Sequence, residues 1–287
     1  MLFPYWQLIV FPILLIAAIF LILYRKPSRI YEHAVARIEA GGVKRGLTPP
    51  EAAALLGYPF NTILALVIFG LLRKGILRQD SHSPLSVSVA AKFQTKDKSL
   101  NAERRATLRK RAAQSVPTVI YTYEEIFVEL LEQNDGSPVA GIDYSIFVSP
   151  FLKLVTERIA GYDLEETREY YRLIIERGPK EARVDGALVL DREKVFDRNL
   201  LWLMLHKNFQ IILDSEEFDY IPNWQRTDVQ LHSWEEQDIT FASWALIVID
   251  ELKAAIPENA LEIKFGKEID SVTAQLLADI SRATFYG

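Results

Sequence analysis

The stretch Leu2 to Tyr24 reads LFPYWQLIVFPILLIAAIFLILY and carries no charge. As a helix, these residues reach roughly 34 Å, enough to cross a hydrocarbon core of about 30 Å. Arg25, Lys26 and Arg29 follow at once, and Tyr5, Trp6 and Tyr24 stand where interfacial aromatics belong. A cleaved signal peptide would have a charged start, a short apolar run and a small-residue cleavage site. Here the start lacks Lys and Arg, the run is long, and no A-x-A follows. A buried core helix of a soluble protein would show a polar face, and this run has none. The expectation is a transmembrane anchor over 1–27, with Pro12 kinking its helix. Positive charge after the span and none before it places the N-terminus outside the inner (cytoplasmic) membrane and the body in the cytoplasm. The absence of cysteine agrees with a reducing compartment and excludes disulfides and thiolate metal sites.

The net charge of −5 hides an asymmetry. Residues 1–116 hold 17 Lys and Arg against 6 Asp and Glu, a net of +11, and residues 117–287 hold 16 against 32, a net of −16. A cytoplasmic leaflet is anionic, so the basic half belongs near lipid and the acidic half away from it.

Beyond the anchor, the pattern predicts a mainly α chain with a small β contribution. A winged-helix-like unit covers 28–93, a basic linker 94–117, and an acidic, mostly helical domain 118–287. Ser28 to Ala40 reads as a helix and Val43 to Leu47 as a short strand. Thr48-Pro49-Pro50-Glu51 is a capping box with proline at the first helical position, opening a helix that stops at Gly57. A second helix runs from about Asn61 to Lys74, and Ile76 to Gln79 and Leu85 to Val89 form a hairpin around Asp80 to Pro84.

Helix, strand, helix, helix and hairpin is the order of a winged helix, whose second paired helix reads DNA in the major groove. Base readout needs Arg, Lys, Asn or Gln on the exposed face. This helix reads NTILALVIFGLLRK, apolar all round, which implies burial on more than one side. Ile63, Leu66 and Phe69 are therefore expected to meet protein, from this chain, another copy or a partner. Arg104, Arg105, Arg109, Lys110 and Arg111 of the linker point to lipid headgroups or to the chain's own acidic half. They could contact nucleic-acid phosphates, but no aromatics are interleaved for base stacking.

In the acidic half, the pattern predicts helices over Tyr121 to Gln133, Ser145 to Ile159, Asp163 to a Gly178-Pro179 stop, Asp191 to Lys207, Ile239 to Ala255 and Ser271 to Ala283. Ala187 to Leu190 reads as β-like, and Gln210 to Trp234 has no clear element. Ile239 to Ala255 is apolar enough to be weighed as a second span. The charges at both its ends favour a core helix.

LTPPEAAALLGYPFNTILALVIFGLLRKGIL resembles the juxtamembrane segment of membrane proteins of the domain-of-unknown-function 2207 type. GYDLEETREYYRLIIERG and DRNLLWLMLHKNF resemble downstream parts of similar bacterial proteins. The resemblance implies an envelope-associated protein and supplies no catalytic residues.

Motifs for chemistry are lacking. His33, His82, His206 and His232 show no metal spacing, and there is no phosphate-binding loop and no G-x-S-x-G elbow. No catalytic, cofactor-binding or metal residue is assigned, and no cofactor is expected. The reading is a single-pass anchored protein whose partners are membrane lipid and either another protein or a second copy of itself: a scaffold, adaptor or assembly subunit. The alternative is a membrane-tethered winged-helix regulator binding DNA. An enzyme with a site among Trp202, His206, His232 and nearby carboxylates is the third possibility.

Overall fold

The computed structural model describes residues 41–95, 101–114, 118–182, 189–214, 220–226, 239–257 and 271–286. The anchor, with Tyr5, Trp6, Tyr24, Arg25, Lys26 and Arg29, lies outside the described residues, as do the expected helix at Ser28 to Ala40, His33 and His232. The structure is mainly helical, with one two-stranded antiparallel sheet. Among the described residues, no helix is long and apolar enough to cross a membrane.

The helices are α1 (Pro49–Leu55), α2 (Phe60–Arg73), α3 (Ala102–Gln114), α4 (Thr122–Gln133), α5 (Ser145–Ile159), α6 (Leu164–Ala182), α7 (Val189–Leu203), α8 (Phe209–Leu213), α9 (Asn223–Arg226), α10 (Phe241–Glu251) and α11 (Ser271–Tyr286). The hairpin pairs β1 (Leu77–His82) with β2 (Leu85–Val89), and a bulge falls between Gln79 and Ser81. Short 3-10 turns occupy Val139–Gly141 and Leu252–Ala255.

The chain divides into two compact units, Met1–Arg45 with Gly161–Thr167, and Gly46–Ala160 with Arg168–Gly287. In the described part of the first, the Asp163 N–H donates to the Gly42 carbonyl at 2.9 Å. The Lys44 N–H donates to Thr167 Oγ1 at 3.1 Å, and the Lys44 ammonium lies 4.6 Å from the centre of the Tyr162 ring. Gly41 sits at φ +82°, and a Cβ there would fall 2.0 Å from the Gly161 carbonyl oxygen, so only glycine fits. These loop contacts replace the strand expected over Val43 to Leu47, since backbone donors bound to side chains and loop carbonyls leave no ladder to form.

The second unit is built around α2. Every residue from Phe60 to Leu72 is buried. A helix without a polar face can be stable only when neighbours surround it. Its neighbours are α1, β1, α7, α9, α10, α11 and the Leu252–Ala255 turn. The winged-helix-like segment and the acidic half, expected as separate domains, thus share one core. Both ends of α2 are also tied in by polar bonds. The Phe60 N–H, an orphan donor at the helix start, donates to Thr284 Oγ1 at 2.8 Å. Asn61 Nδ2 donates to the Ile249 carbonyl at 2.8 Å, and Arg73 donates to the carbonyls of Asp197 and Arg198. Gly70 admits α7 closely, since a Cβ there would lie 3.3 Å from Leu201 Cδ1.

Two further expectations are corrected. Gly178-Pro179 does not stop α6, which continues to Ala182. Proline in the last turn of a helix removes only one backbone donor, and Gly178 lies 3.4 Å, measured from an added Cβ, from Leu203 Cδ2. Val189 and Leu190, expected in a β-like run, belong to the first turn of α7.

Phe69 lies among Trp244, Trp224 and Phe241 at ring-centre distances of 5.5, 6.1 and 6.1 Å. Phe69→Ala should therefore lower stability by about 3–5 kcal/mol in denaturant titrations. Ile211→Ala, on an exposed side chain, should change it by less than about 0.5 kcal/mol.

Candidate functional site

The expected protein-contact residues are interior. Ile63, Leu66 and Phe69 are fully buried, and the cover comes from this chain. They offer nothing to another molecule. The hairpin is held down as well. Trp224 Nε1 and Gln225 Nε2 donate to the buried Gln79 Oε1 at 3.2 and 2.9 Å, and Trp244 Nε1 donates to the His82 carbonyl at 3.1 Å. Arg78, the basic residue of β1, pairs with Asp80 at 2.9 Å.

The basic linker forms α3 and divides its cations between two faces. Arg105 and Arg109 face inward onto α4. Glu129 pairs with both, at 2.6 and 3.1 Å, and Glu132 takes Arg109 at 2.5 Å. Lys110 stands 3.5 Å from Glu125 at the edge. Arg109 is 2 % exposed, so losing its carboxylates would leave an uncompensated buried charge. Arg104 and Arg111 are exposed. Of the two partners open to the linker, its own acidic half therefore takes Arg105, Arg109 and Lys110. A cavity of about 400 Å³ lies beside the contact, lined by Ala106, Ile126, Leu130, Ile146 and Phe147, with Arg109 at its wall.

Two ion pairs, each with a buried carboxylate, were not anticipated from the sequence. Lys74, just past α2, donates to both Glu124 oxygens at 2.6 and 2.7 Å and to the Val119 carbonyl at 2.9 Å. Its ammonium also lies 4.5 Å from the centre of the Tyr121 ring. Burial pushes the Lys74 pKa down and the Glu124 pKa up, and each partner opposes the shift of the other. The second pair begins at the α1 capping box. Glu51, 2 % exposed, accepts from the Thr48 N–H at 2.7 Å and from the Thr48 hydroxyl at 2.9 Å. Arg158 of α5 donates to both Glu51 oxygens at 2.6 and 2.7 Å, and also to the Gly46 carbonyl. Tyr123 closes the node by donating to Thr48 Oγ1 at 3.0 Å, and burial holds its pKa well above the ordinary tyrosine value. The sequence signal was half present, since Glu51 was legible as a cap but its partner lies 107 residues away.

His206 Nδ1 accepts from the Asn208 N–H at 3.0 Å, and its Nε2 lies 3.5 Å from Glu176. Trp202 stacks on Tyr171, whose hydroxyl accepts from the Leu47 N–H at 2.7 Å. His82 Nδ1 is 2.8 Å from Gln79 Nε2. Among the described residues, no three His, Asp or Glu side chains converge to hold a metal ion. A cleft of about 610 Å³ between the end of α2, the hairpin and α9 is lined by Arg73, Arg78, Lys92, Asn223 and Trp224, and Arg73 and Arg78 already have partners. Comparison with protein-family models, curated proteins and solved structures finds no match.

Lys74→Met leaves the Glu124 carboxylate buried without its cation and should cost about 3–5 kcal/mol. The folded variant holds the Glu124 proton more tightly than the unfolded chain does. Its stability should therefore be best retained below the ordinary carboxyl range and fall as pH rises through the raised folded value. The double variant Lys74→Met/Glu124→Gln should regain most of the loss at neutral pH. Denaturant titrations at acidic and neutral pH read both effects, and equal losses in the single and double variants would contradict the assignment.

Proposed function

We propose that the chain is a single-pass protein of the cytoplasmic membrane, with its N-terminus outside and its body in the cytoplasm. It works through protein–protein contacts, as a scaffold, adaptor or assembly subunit. The observation that carries this reading is the uncharged run Leu2 to Tyr24, followed directly by Arg25, Lys26 and Arg29. The resemblance of the Leu47 to Leu77 region to a juxtamembrane segment points the same way.

Contact with other proteins falls to outward side chains, because α2 is used up inside the fold. Ile146, Ile211, Leu246 and Ile247 are exposed apolar residues of the helical body. The regulator alternative needs a helix to place in a DNA groove, and the one in the expected position has no residue from Phe60 to Leu72 at the surface.

The full chain should sediment with membranes and resist extraction by alkaline carbonate. A variant lacking residues 2–24 should move to the soluble fraction. A full-length product that stays in the supernatant removes the anchor. Detergent-solubilised protein that is monomeric and recovers no reproducible partner removes the scaffold role.

A further inference from the structure

Position along α3 follows helical geometry, about 100° per residue. Arg105, Arg109 and Ala113 point to the interior, where Arg109 and Ala113 are buried. Arg104, Thr107 and Arg111 stand near the centre of the opposite face and Leu108 on one flank of it, roughly 50° round from the two arginines, all exposed. Leu108 is a large apolar side chain at 45 % exposure. Among the described residues, the guanidinium groups of Arg104 and Arg111 have no ion pair and no hydrogen-bond partner. Glu103 and Lys110, seven residues apart, lie together on one margin of this face, and Lys110 is already paired with Glu125. One set of cations on this helix is therefore satisfied by carboxylates of α4, and a second pair, seven residues apart, is directed outward with a leucine on its flank.

We propose that Arg104, Leu108 and Arg111 form a surface that lies on an anionic lipid bilayer, the two guanidinium groups at the headgroup phosphates and Leu108 at the acyl boundary. This deepens, and rests on, the membrane reading above. An acidic protein is the other conceivable occupant, but two arginines beside an isolated leucine have no shape for a pocket to read. A planar anionic surface needs none. The net positive charge of residues 1–116 agrees in sign. The pairing of Arg105 and Arg109 with α4 holds the helix so that the free stripe faces away from the body. Each arginine near such a surface strengthens the contact roughly fivefold, and the effect fades within a Debye length.

The chain has no cysteine, so Leu108→Cys gives a unique point for a spin label. The labelled full chain is reconstituted into vesicles of phosphatidylglycerol or of phosphatidylcholine, and its incorporation is scored by flotation. In the anionic vesicles the label should lose access to a water-soluble nickel relaxant severalfold relative to the neutral ones. Arg104→Glu/Arg111→Glu in the same background, or high salt, should restore access. A label at Ile211→Cys should remain accessible in both lipids. Protein that floats with both vesicles yet shows equal access at position 108 overturns the proposal and leaves the anchor standing. Protein that does not float with either removes the anchor itself, and the proposal with it.

Discussion

The fold depends on hiding one helix. Phe60–Arg73 has no polar face to turn toward water, and burying each of its large side chains is worth roughly 1.5–3 kcal/mol. The chain meets that demand by wrapping α2 with elements from both its halves: α1 and the hairpin from the near side, and α7, α9, α10 and α11 from the far side. The polar ties at both ends, Phe60 to Thr284 and Arg73 to the Asp197 and Arg198 carbonyls, set the register of this wrapping. A unit that looks separable along the sequence is in fact the centre of the second compact unit.

Charge then arranges what packing has joined. The net basic and net acidic halves meet at defined pairs rather than as diffuse attraction. Glu129 and Glu132 hold Arg105 and Arg109, Glu124 holds Lys74, and Glu51 holds Arg158. Arg109, Glu124 and Glu51 are almost wholly buried, where a lone charge is costly and a paired, hydrogen-bonded one is tolerated. Such pairs specify which helix sits where more than they add stability. Of the cations of α3, Arg104 and Arg111 are left outside these pairs.

Local features of the fold were legible in the sequence. Thr48-Pro49-Pro50-Glu51 marks the start of α1, alternating apolar residues mark β2, and helical periodicity marks α4, α5 and α11, because each signal lies within a few neighbouring residues. That α2 would be covered on more than one side was legible too, from its lack of a polar face, but not that this chain, rather than another copy or a partner, supplies the cover. What covers it was not, since Trp224, Phe241 and Trp244 lie more than 150 residues away in sequence. The same holds for the site. The linker's cations were visible, but their division into inward and outward faces depends on the docking of α3 against α4. Gly178-Pro179 misled because a stop signal in sequence becomes permissible when the last turn alone must absorb it.

Hydrogen exchange of the full-length protein, read by mass spectrometry on peptides covering Ile63 to Leu72, tests most directly whether α2 is core rather than contact surface. These amides should be among the slowest in the chain, exchanging only through global unfolding, and duplex DNA should leave them unchanged. Exchange as fast as at the exposed positions of the fold, or protection gained on adding DNA, would contradict the account.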